Sequence, residues 1–320
     1  MEYRRLGSAG VQVSAISLGA WLTYGSSRIE FDGAVACLRK AIESGINFID
    51  VADMYAYGEA EKVVGQVIKD YKRSDLVIST KAYWPMSEHV NDRGLSRKHI
   101  IESVHKSLKR FETDYVDIFF CHRYDDDSPT EETIRTISDL MQQGKILYWG
   151  TSVWSAENIE EAVQISDRLN TYRPVTEQPE YNMLFRDHVE GSVQAACEKY
   201  GIGLVVWSPL AQGVLTGKYN NGIPEDSRGN NFGKNFVSGY LVEDQLERVR
   251  KITVLAQEMG TTPAALALAW ALKNPVVSSV ITGATKTSQV EENLKALDVK
   301  ITDEINQKIE DILQNKPITA

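Results

Sequence analysis

Cysteine is scarce in this chain. Cys37, Cys121 and Cys197 are the only three, an odd number without C-x-x-C spacing, which argues against a disulfide framework and for a reducing compartment. Positive charge is in deficit as well: 35 Lys and Arg stand against 44 Asp and Glu, for a net charge of -9. A nucleic-acid or anionic-membrane partner is therefore not expected. No run approaches the roughly 18 apolar residues of a membrane span, and Met1-Glu2-Tyr3-Arg4-Arg5 carries no apolar signal core. No membrane insertion and a cytoplasmic location are the expectations. The common nucleotide signatures are missing too. No G-x-G-x-x-G follows a strand-like run, and Gly213-Val214-Leu215-Thr216-Gly217-Lys218-Tyr219 is too short, with Tyr after Lys, for a P-loop. The five histidines form no H-E-x-x-H motif or spaced metal cluster.

What remains is ordinary globular material: 320 residues, 42% apolar and 25% charged, enough for a sizeable core. Eight short apolar or β-branched runs read as strands: Ala15-Leu18, Phe48-Val51, Leu76-Thr80, Tyr115-Phe120, Ile146-Gly150, Val175-Glu177, Leu204-Trp207 and Ser279-Ile281. Helical periodicity fills the gaps, as in the stripe Ile100, Ile101, Val104, Leu108 and Phe111. Ser288 with Glu291 resembles a capping box. Thr262-Pro263 reads as an N-cap and first helical residue, and Gly45, Gly144 and Gly201 stand where helices should stop. Alternating strand and helix implies a parallel sheet covered by helices. Eight units close a (β/α)8 TIM barrel, although a strand count leaves an open doubly wound sheet as the alternative. A hairpin, Tyr3-Leu6 and Val11-Val13 about the turn Ser8-Ala9-Gly10, precedes the first strand. A long segment, Ala211 to Lys273, separates the last two strands. Its part Asn220-Gly239 reads as a loop and the rest as two extra helices, with a further helix at the C-terminus. No low-complexity linker interrupts residues 1–320, which are assigned to one domain.

In such a barrel the active site lies at the carboxyl ends of the strands. There the sequence offers Asp50 and Tyr55, Lys81, Cys121-His122, Thr151-Ser152, Gln178, Trp207-Ser208 and Thr282-Gly283. Asp50, Tyr55, Lys81 and His122 make chemical sense together. A phenol has a pKa of about 10, and a neighbouring Lys81 ammonium would lower it. Asp50 would keep that ammonium charged. A neutral His122 would orient a substrate oxygen. The result is a tuned general acid, as reduction of a carbonyl requires. Taken singly, Asp50 with Lys81 reads equally as a structural ion pair, and a strand-end lysine also fits a Schiff-base aldolase.

The chain also resembles the aldo-keto reductase superfamily. The segments that carry the resemblance are Gly45-Ile46-Asn47-Phe48-Ile49-Asp50-Val51-Ala52-Asp53-Met54-Tyr55 with Gly58-Glu59, Ser79-Thr80-Lys81, Asp114-Tyr115-Val116-Asp117, and Gly144-Lys145-Ile146 leading to Gly150-Thr151-Ser152. They continue with Glu177-Gln178-Pro179-Glu180-Tyr181-Asn182 and Trp207-Ser208-Pro209-Leu210-Ala211-Gln212-Gly213 up to Leu215-Thr216-Gly217-Lys218-Tyr219. They occur in family order over almost the whole chain. They look most like the branch that holds voltage-gated potassium-channel β-subunits and their bacterial relatives.

The resemblance implies NADPH-dependent reduction of aldehydes or ketones, with a catalytic tetrad at Asp50, Tyr55, Lys81 and His122 and Tyr55 as general acid. It implies NADP(H) as cofactor. Gly19, Trp21, Asp50, Ser152, Gln178 and Trp207 would surround the nicotinamide. Ser208, Pro209, Leu210, Ala211 and Gly213 would form a pyrophosphate strap. Lys218, Ser227 and Arg228 would lie about the phosphates, with the Arg228 fork favouring the 2′-phosphate of NADP(H). Gly283, Thr285, Thr287, Gln289, Glu292 and Asn293 would cradle the adenosine end at a helix N-terminus. The Asn220-Gly239 stretch would act as a lid.

Trp21, Tyr55, Trp84 and His122 are the expected substrate contacts, below loops 85–96 and 123–130. No cationic residue stands out as a carboxylate anchor, so small aromatic or aliphatic aldehydes are expected. His122 departs from the channel β-subunits, where Asn is common before the equivalent of Arg123. That favours turnover over the alternative, a redox-sensing regulatory subunit of a channel-like partner. Val153 stands where that branch often has Arg, so a phosphate contact there is in doubt. The resemblance leaves a homo-oligomer open.

Overall fold

The computed structural model describes residues 1–21, 24–25, 30–230 and 233–317. A two-stranded antiparallel hairpin, β1 (Tyr3–Arg5) and β2 (Gln12–Ser14), pairs Tyr3 with Ser14. Eight strands then follow: β3 (Ile16–Gly19), β4 (Phe48–Asp50), β5 (Val77–Ala82), β6 (Val116–Cys121), β7 (Ile146–Thr151), β8 (Thr176–Glu177), β9 (Gly203–Val206) and β10 (Val277–Thr282). Each pairs in parallel with its neighbours, and β10 returns to β3, so the sheet is a closed barrel. The strands fall on the eight predicted runs with ends displaced by a residue or two, and closure removes the open-sheet alternative.

Helices α1 (Phe31–Glu43), α2 (Glu59–Ile68), α3 (Arg97–Phe111), α4 (Thr130–Gln142), α5 (Ala156–Arg168) and α6 (Gln194–Tyr200) follow successive strands from β3 to β8. After β9 come α7 (Lys234–Val237), α8 (Glu243–Glu258) and α9 (Pro263–Lys273). After β10 come α10 (Thr287–Leu294) and the C-terminal α11 (Asp303–Leu313). Thr262 caps α9 by accepting from the Ala265 N–H at 3.2 Å. Gly201 ends α6 at φ 68°, a left-handed value that a side chain disfavours. No helix among the described residues is long and apolar enough to cross a membrane.

Two local expectations are corrected. α10 starts at Thr287, not after Ser288, and Gln289 rather than Glu291 reaches back, its Oε1 accepting from the Thr285 N–H at 2.6 Å. Glu291 instead pairs with Lys40 of α1 at 2.6 Å. The Asn220-Gly239 stretch is not all loop: it contains α7 and 3-10 turns at Arg228–Asn230 and Ser238–Tyr240. Asn231 and Phe232 lie outside the described residues.

The two-residue period of a strand sorts its side chains between two cores. Phe48, Val77, Ile118, Phe120, Val205 and Ile281 gather in one apolar cluster with Leu6 and Val13 of the hairpin region, which plug the barrel's amino end. Ile49, Ile78 and Phe119 belong to the larger cluster shared with the helices. The same alternation carries the inward rows on toward the other end, from Phe48 to Asp50, from Val77 through Ser79 to Lys81, and from Ile118 through Phe120 to His122. Apolar plugging below and polar groups above therefore come from one pattern.

Candidate active site

Lys81 is fully buried, and its Nζ donates to three acceptors: Asp50 Oδ2 at 2.7 Å, the Val51 carbonyl at 2.7 Å and the Tyr55 hydroxyl at 3.3 Å. Asp50 is buried too, and its other oxygen accepts from Ser79 Oγ at 2.7 Å and Gln178 Nε2 at 2.9 Å. The carboxylate is thus saturated, as a buried charge must be. Burial pulls the Lys81 ammonium below its usual pKa, and Asp50 offsets only part of that fall.

Tyr55 opens a 3-10 turn, Tyr55–Gly58, whose residues Ala56 and Tyr57 have φ 49° and 53°. Such left-handed values in non-glycine residues store strain and persist only where the surroundings impose them. Arg110 of α3 supplies part of that constraint. A Cβ on Gly58, itself at φ 90°, would meet Arg110 Nε at 2.4 Å. Arg110 also bonds the fully buried Glu61 of α2 at 2.8 Å, and Glu61 accepts from Thr80 Oγ1 at 2.6 Å. The phenol is therefore held from behind by α2, α3 and the outer face of β5.

His122 lies across the mouth, its ring 6.0 Å from that of Tyr55 and 6.3 Å from that of Trp84. Its Nδ1 is buried without a hydrogen-bond partner. Burial, followed by the charges of Lys81 and Arg123, drives its pKa well below the ordinary value, so the imidazole is neutral. The phenol behaves differently from the sequence expectation. Burial, the larger influence, and then the Asp50 charge raise the Tyr55 pKa well above its usual value, against the expected fall. The hydroxyl is consequently held in its protonated form.

A second group gathers after β9. Ser208, Ala211, Gln212 and Gly213 all take positive φ, at 52°, 47°, 57° and 97°. Gln212 Nε2 donates to Ser208 Oγ, and its Oε1 accepts from Arg228 Nη1. A Cβ on Gly213 would meet Lys218 Nζ at 2.9 Å, and one on Gly283 would lie 3.9 Å from Arg228 Nη2. Arg228 thus joins the turn after β9 to the loop after β10. Its guanidinium lies 6.0 Å from the Trp21 ring, which meets Phe236 edge-on at 4.9 Å. Such bent backbone beside two cations is suited to an anion.

The other sequence candidates are placed as follows. Ser152 Oγ donates to the Gln178 carbonyl at 2.9 Å, just beside Asp50. Gly19 pairs with Asp50 across β3 and β4, and Trp207 follows β9 half-buried. Pro209 is buried and Leu210 partly so, within the turn after β9. The Ser227 hydroxyl is spent on the Pro224 carbonyl of its own turn at 2.6 Å. Thr285 Oγ1 and Gln289 Oε1 bond each other at 3.1 Å. Thr287 is exposed, Asn293 is buried and Glu292 pairs with Lys295 at 2.6 Å.

Three residues escaped the sequence reading. Gln212 links Ser208 to Arg228. Glu177, fully buried, accepts from the Val153 N–H at 2.6 Å and from Thr151 Oγ1, and so fixes the turn that presents Ser152; burial pushes its carboxyl up to about 7. Arg123 is the third. It reaches toward Ser152 Oγ at 3.5 Å and lies 5.5 Å from the Trp84 ring centroid, a cation beside the expected substrate contacts where the sequence offered no obvious carboxylate anchor. The strand-end rule would have found it, because it directly follows His122.

A sequence profile described as the Aldo/keto reductase family matches residues 15–314. A protein of Oryza sativa subsp. japonica named "Probable voltage-gated potassium channel subunit beta" is 48% identical, covering 99% of this chain and 98% of its own length. One of the same name from Arabidopsis thaliana is also 48% identical, with the same coverage. A "Putative voltage-gated potassium channel subunit beta" of Schizosaccharomyces pombe is 46% identical over 99% of this chain and 95% of its own.

Proposed function

The chain belongs to the aldo/keto reductase family, and from that premise we propose that it is an NADP(H)-dependent carbonyl reductase with Tyr55 as general acid. The reading takes residues 1–320 as one domain. The observation that carries it is the placing of a buried, Asp50-paired Lys81 ammonium 3.3 Å from the Tyr55 hydroxyl at the strand ends. When bound, NADPH supplies a hydride to the carbonyl carbon. Tyr55 gives its proton to the oxygen, and the burial that holds the phenol protonated keeps it ready to do so. His122, neutral, donates one further hydrogen bond to that oxygen. Ser152 and Gln178 would hold the carboxamide end of the cofactor. The bent backbone from Ser208 to Gly213, with Lys218 and Arg228, would hold its phosphates. A Schiff-base role for Lys81 fits less well, because its Nζ is committed to three acceptors and has no exposed surface. Steady loss of NADPH absorbance on adding 4-nitrobenzaldehyde tests the proposal, and bound NADPH without turnover would overturn it.

A second reading is favoured by the names of the relatives, which are channel subunits. Here the chain would be an NADP(H)-binding regulatory partner with slow turnover. Multiple turnovers per site with a simple aldehyde support the first reading. A single turnover followed by arrest supports the second.

Two expected results follow. Arg228→Ala weakens NADPH binding about ten-fold or more, because a charge-assisted fork to phosphate is lost. NADH binding changes little, as read by titration of cofactor fluorescence. Equal losses for both cofactors would remove the 2′-phosphate assignment. Trp84→Ala shifts the order of preference across a panel of aldehydes and leaves NADPH affinity unchanged, since its ring lies on the His122 side. Identical preference in the variant would place Trp84 outside the pocket.

A further inference from the structure

Arg123 is a half-buried cation at the end of β6. Among the described residues, no carboxylate lies within 4.0 Å of its guanidinium. Burial, its largest influence, lowers its pKa, while the phenols of Tyr55 and Tyr83 and the carboxylates of Glu177 and Glu180 act on it from a distance. Both carboxylates are engaged elsewhere. Glu177 holds the backbone of Val153 and Trp154, and Glu180 accepts from the Tyr240 hydroxyl at 2.7 Å. The bonds Arg123 does make are weak matches for its charge: Nη1 donates to the carbonyl of His122 and, at 3.5 Å, to Ser152 Oγ. Its charge reaches inward all the same, because it pushes down the pKa values of Lys81 and His122. The guanidinium sits between Trp84, whose ring centroid is 5.5 Å away, and Ser152, and the Trp84 ring lies 6.3 Å from that of His122, which in turn lies 6.0 Å from that of Tyr55.

A planar cation over an aromatic wall, short of acceptors, is built to receive a planar anion. We propose that Arg123 is a specificity-determining residue that binds the carboxylate of an aldehyde acid, with the carbonyl at Tyr55 and His122 and the rest of the substrate against Trp84. The substrate class then shifts from neutral aldehydes to aldehydes bearing a carboxylate on an aromatic ring or short chain. This inference rests on the reading of the pocket as a carbonyl site, so its test needs one arm that does not depend on turnover.

Paired substrates of like shape isolate the charge: 2-, 3- and 4-formylbenzoate against the matching nitrobenzaldehydes. At least one isomer is expected to show a kcat/KM about ten-fold higher as the carboxylate than as the nitro compound, mainly through KM. Arg123→Gln should abolish that ratio, whatever it does to the common rate, and Arg123→Lys should restore part of it. High salt should shrink it. Calorimetric titration with benzoate and its neutral counterpart benzamide, in the presence of NADP+, forms the second arm. Benzoate is expected to bind at least about ten-fold more weakly to Arg123→Gln, with benzamide unchanged. Unaltered benzoate binding in the variant overturns the anchor. So does a ratio near one for every isomer of the wild type, or a variant whose only defect is a raised KM for NADPH. If no aldehyde is reduced while benzoate binding still depends on Arg123, the carboxylate site stands and the reductase reading falls.

Discussion

Tyr55→Phe is expected to lower kcat for aldehyde reduction by about 10²–10⁴-fold, the range that positioned general acids contribute, and to leave NADPH binding nearly unchanged. The phenyl ring fills the same space, and the 3-10 turn that carries it is fixed by Arg110 and Gly58, so the loss reports on the hydroxyl alone. The hydroxyl's neighbours set the pH behaviour. Burial and Asp50 raise its pKa well above 10 while Arg123 opposes them. A group whose pKa is raised stays protonated across neutral pH, so reduction catalysed by the wild type should be flat there and fall only on the alkaline side. The reverse oxidation, which needs the phenolate or a path for its proton, should climb with pH over the same range. His122 adds no acidic limb at neutral pH, because its own pKa lies well below the usual value. Stopped-flow measurement of hydride transfer separates this from cofactor release. A Tyr55→Phe variant that retains the full rate constant would leave the ring with no role as proton donor.

The barrel was legible because strands covered on both faces read as continuous apolar runs, and each run ends abruptly in a polar residue. Asp50, Lys81 and His122 are visible by that rule, and the two-residue period explains why they continue the inward-facing rows. What could not be read was side-chain commitment. Ser227 stands where a phosphate contact was expected, yet a tight turn directs its hydroxyl to Pro224. Gln289 serves its own helix start. Glu291 has the spacing of a capping residue, but Lys40 on another helix takes it. The expected fall in the Tyr55 pKa failed for a related reason: sequence shows that an ammonium is near, but not how completely the phenol is buried, and burial is the largest influence on it. Arg123 directly follows His122, so its place at a strand end was legible but its direction was not; Trp84 and Ser152 settle that.

Lys81→Met should damage stability and catalysis by different routes, and the two can be separated. The pair Lys81–Asp50 is buried, at 2.7 Å with side-chain exposures of 0% and 4%. Removing one member leaves a carboxylate in low dielectric with Ser79 and Gln178 as its remaining partners. Breaking such pairs costs about 3–5 kcal/mol, a large share of the about 5–15 kcal/mol that typically holds a native protein together. Thermal or urea unfolding should therefore show a clear drop. Adding Asp50→Asn should recover much of the stability, since the double variant buries no charge. Activity should not return with it. The phenol then lacks the cation that stabilises the developing phenolate as the proton leaves, and reduction should stay down by about 10²-fold or more. A double variant that regains both stability and turnover would reduce the pair to a structural device and remove Lys81 from the chemistry.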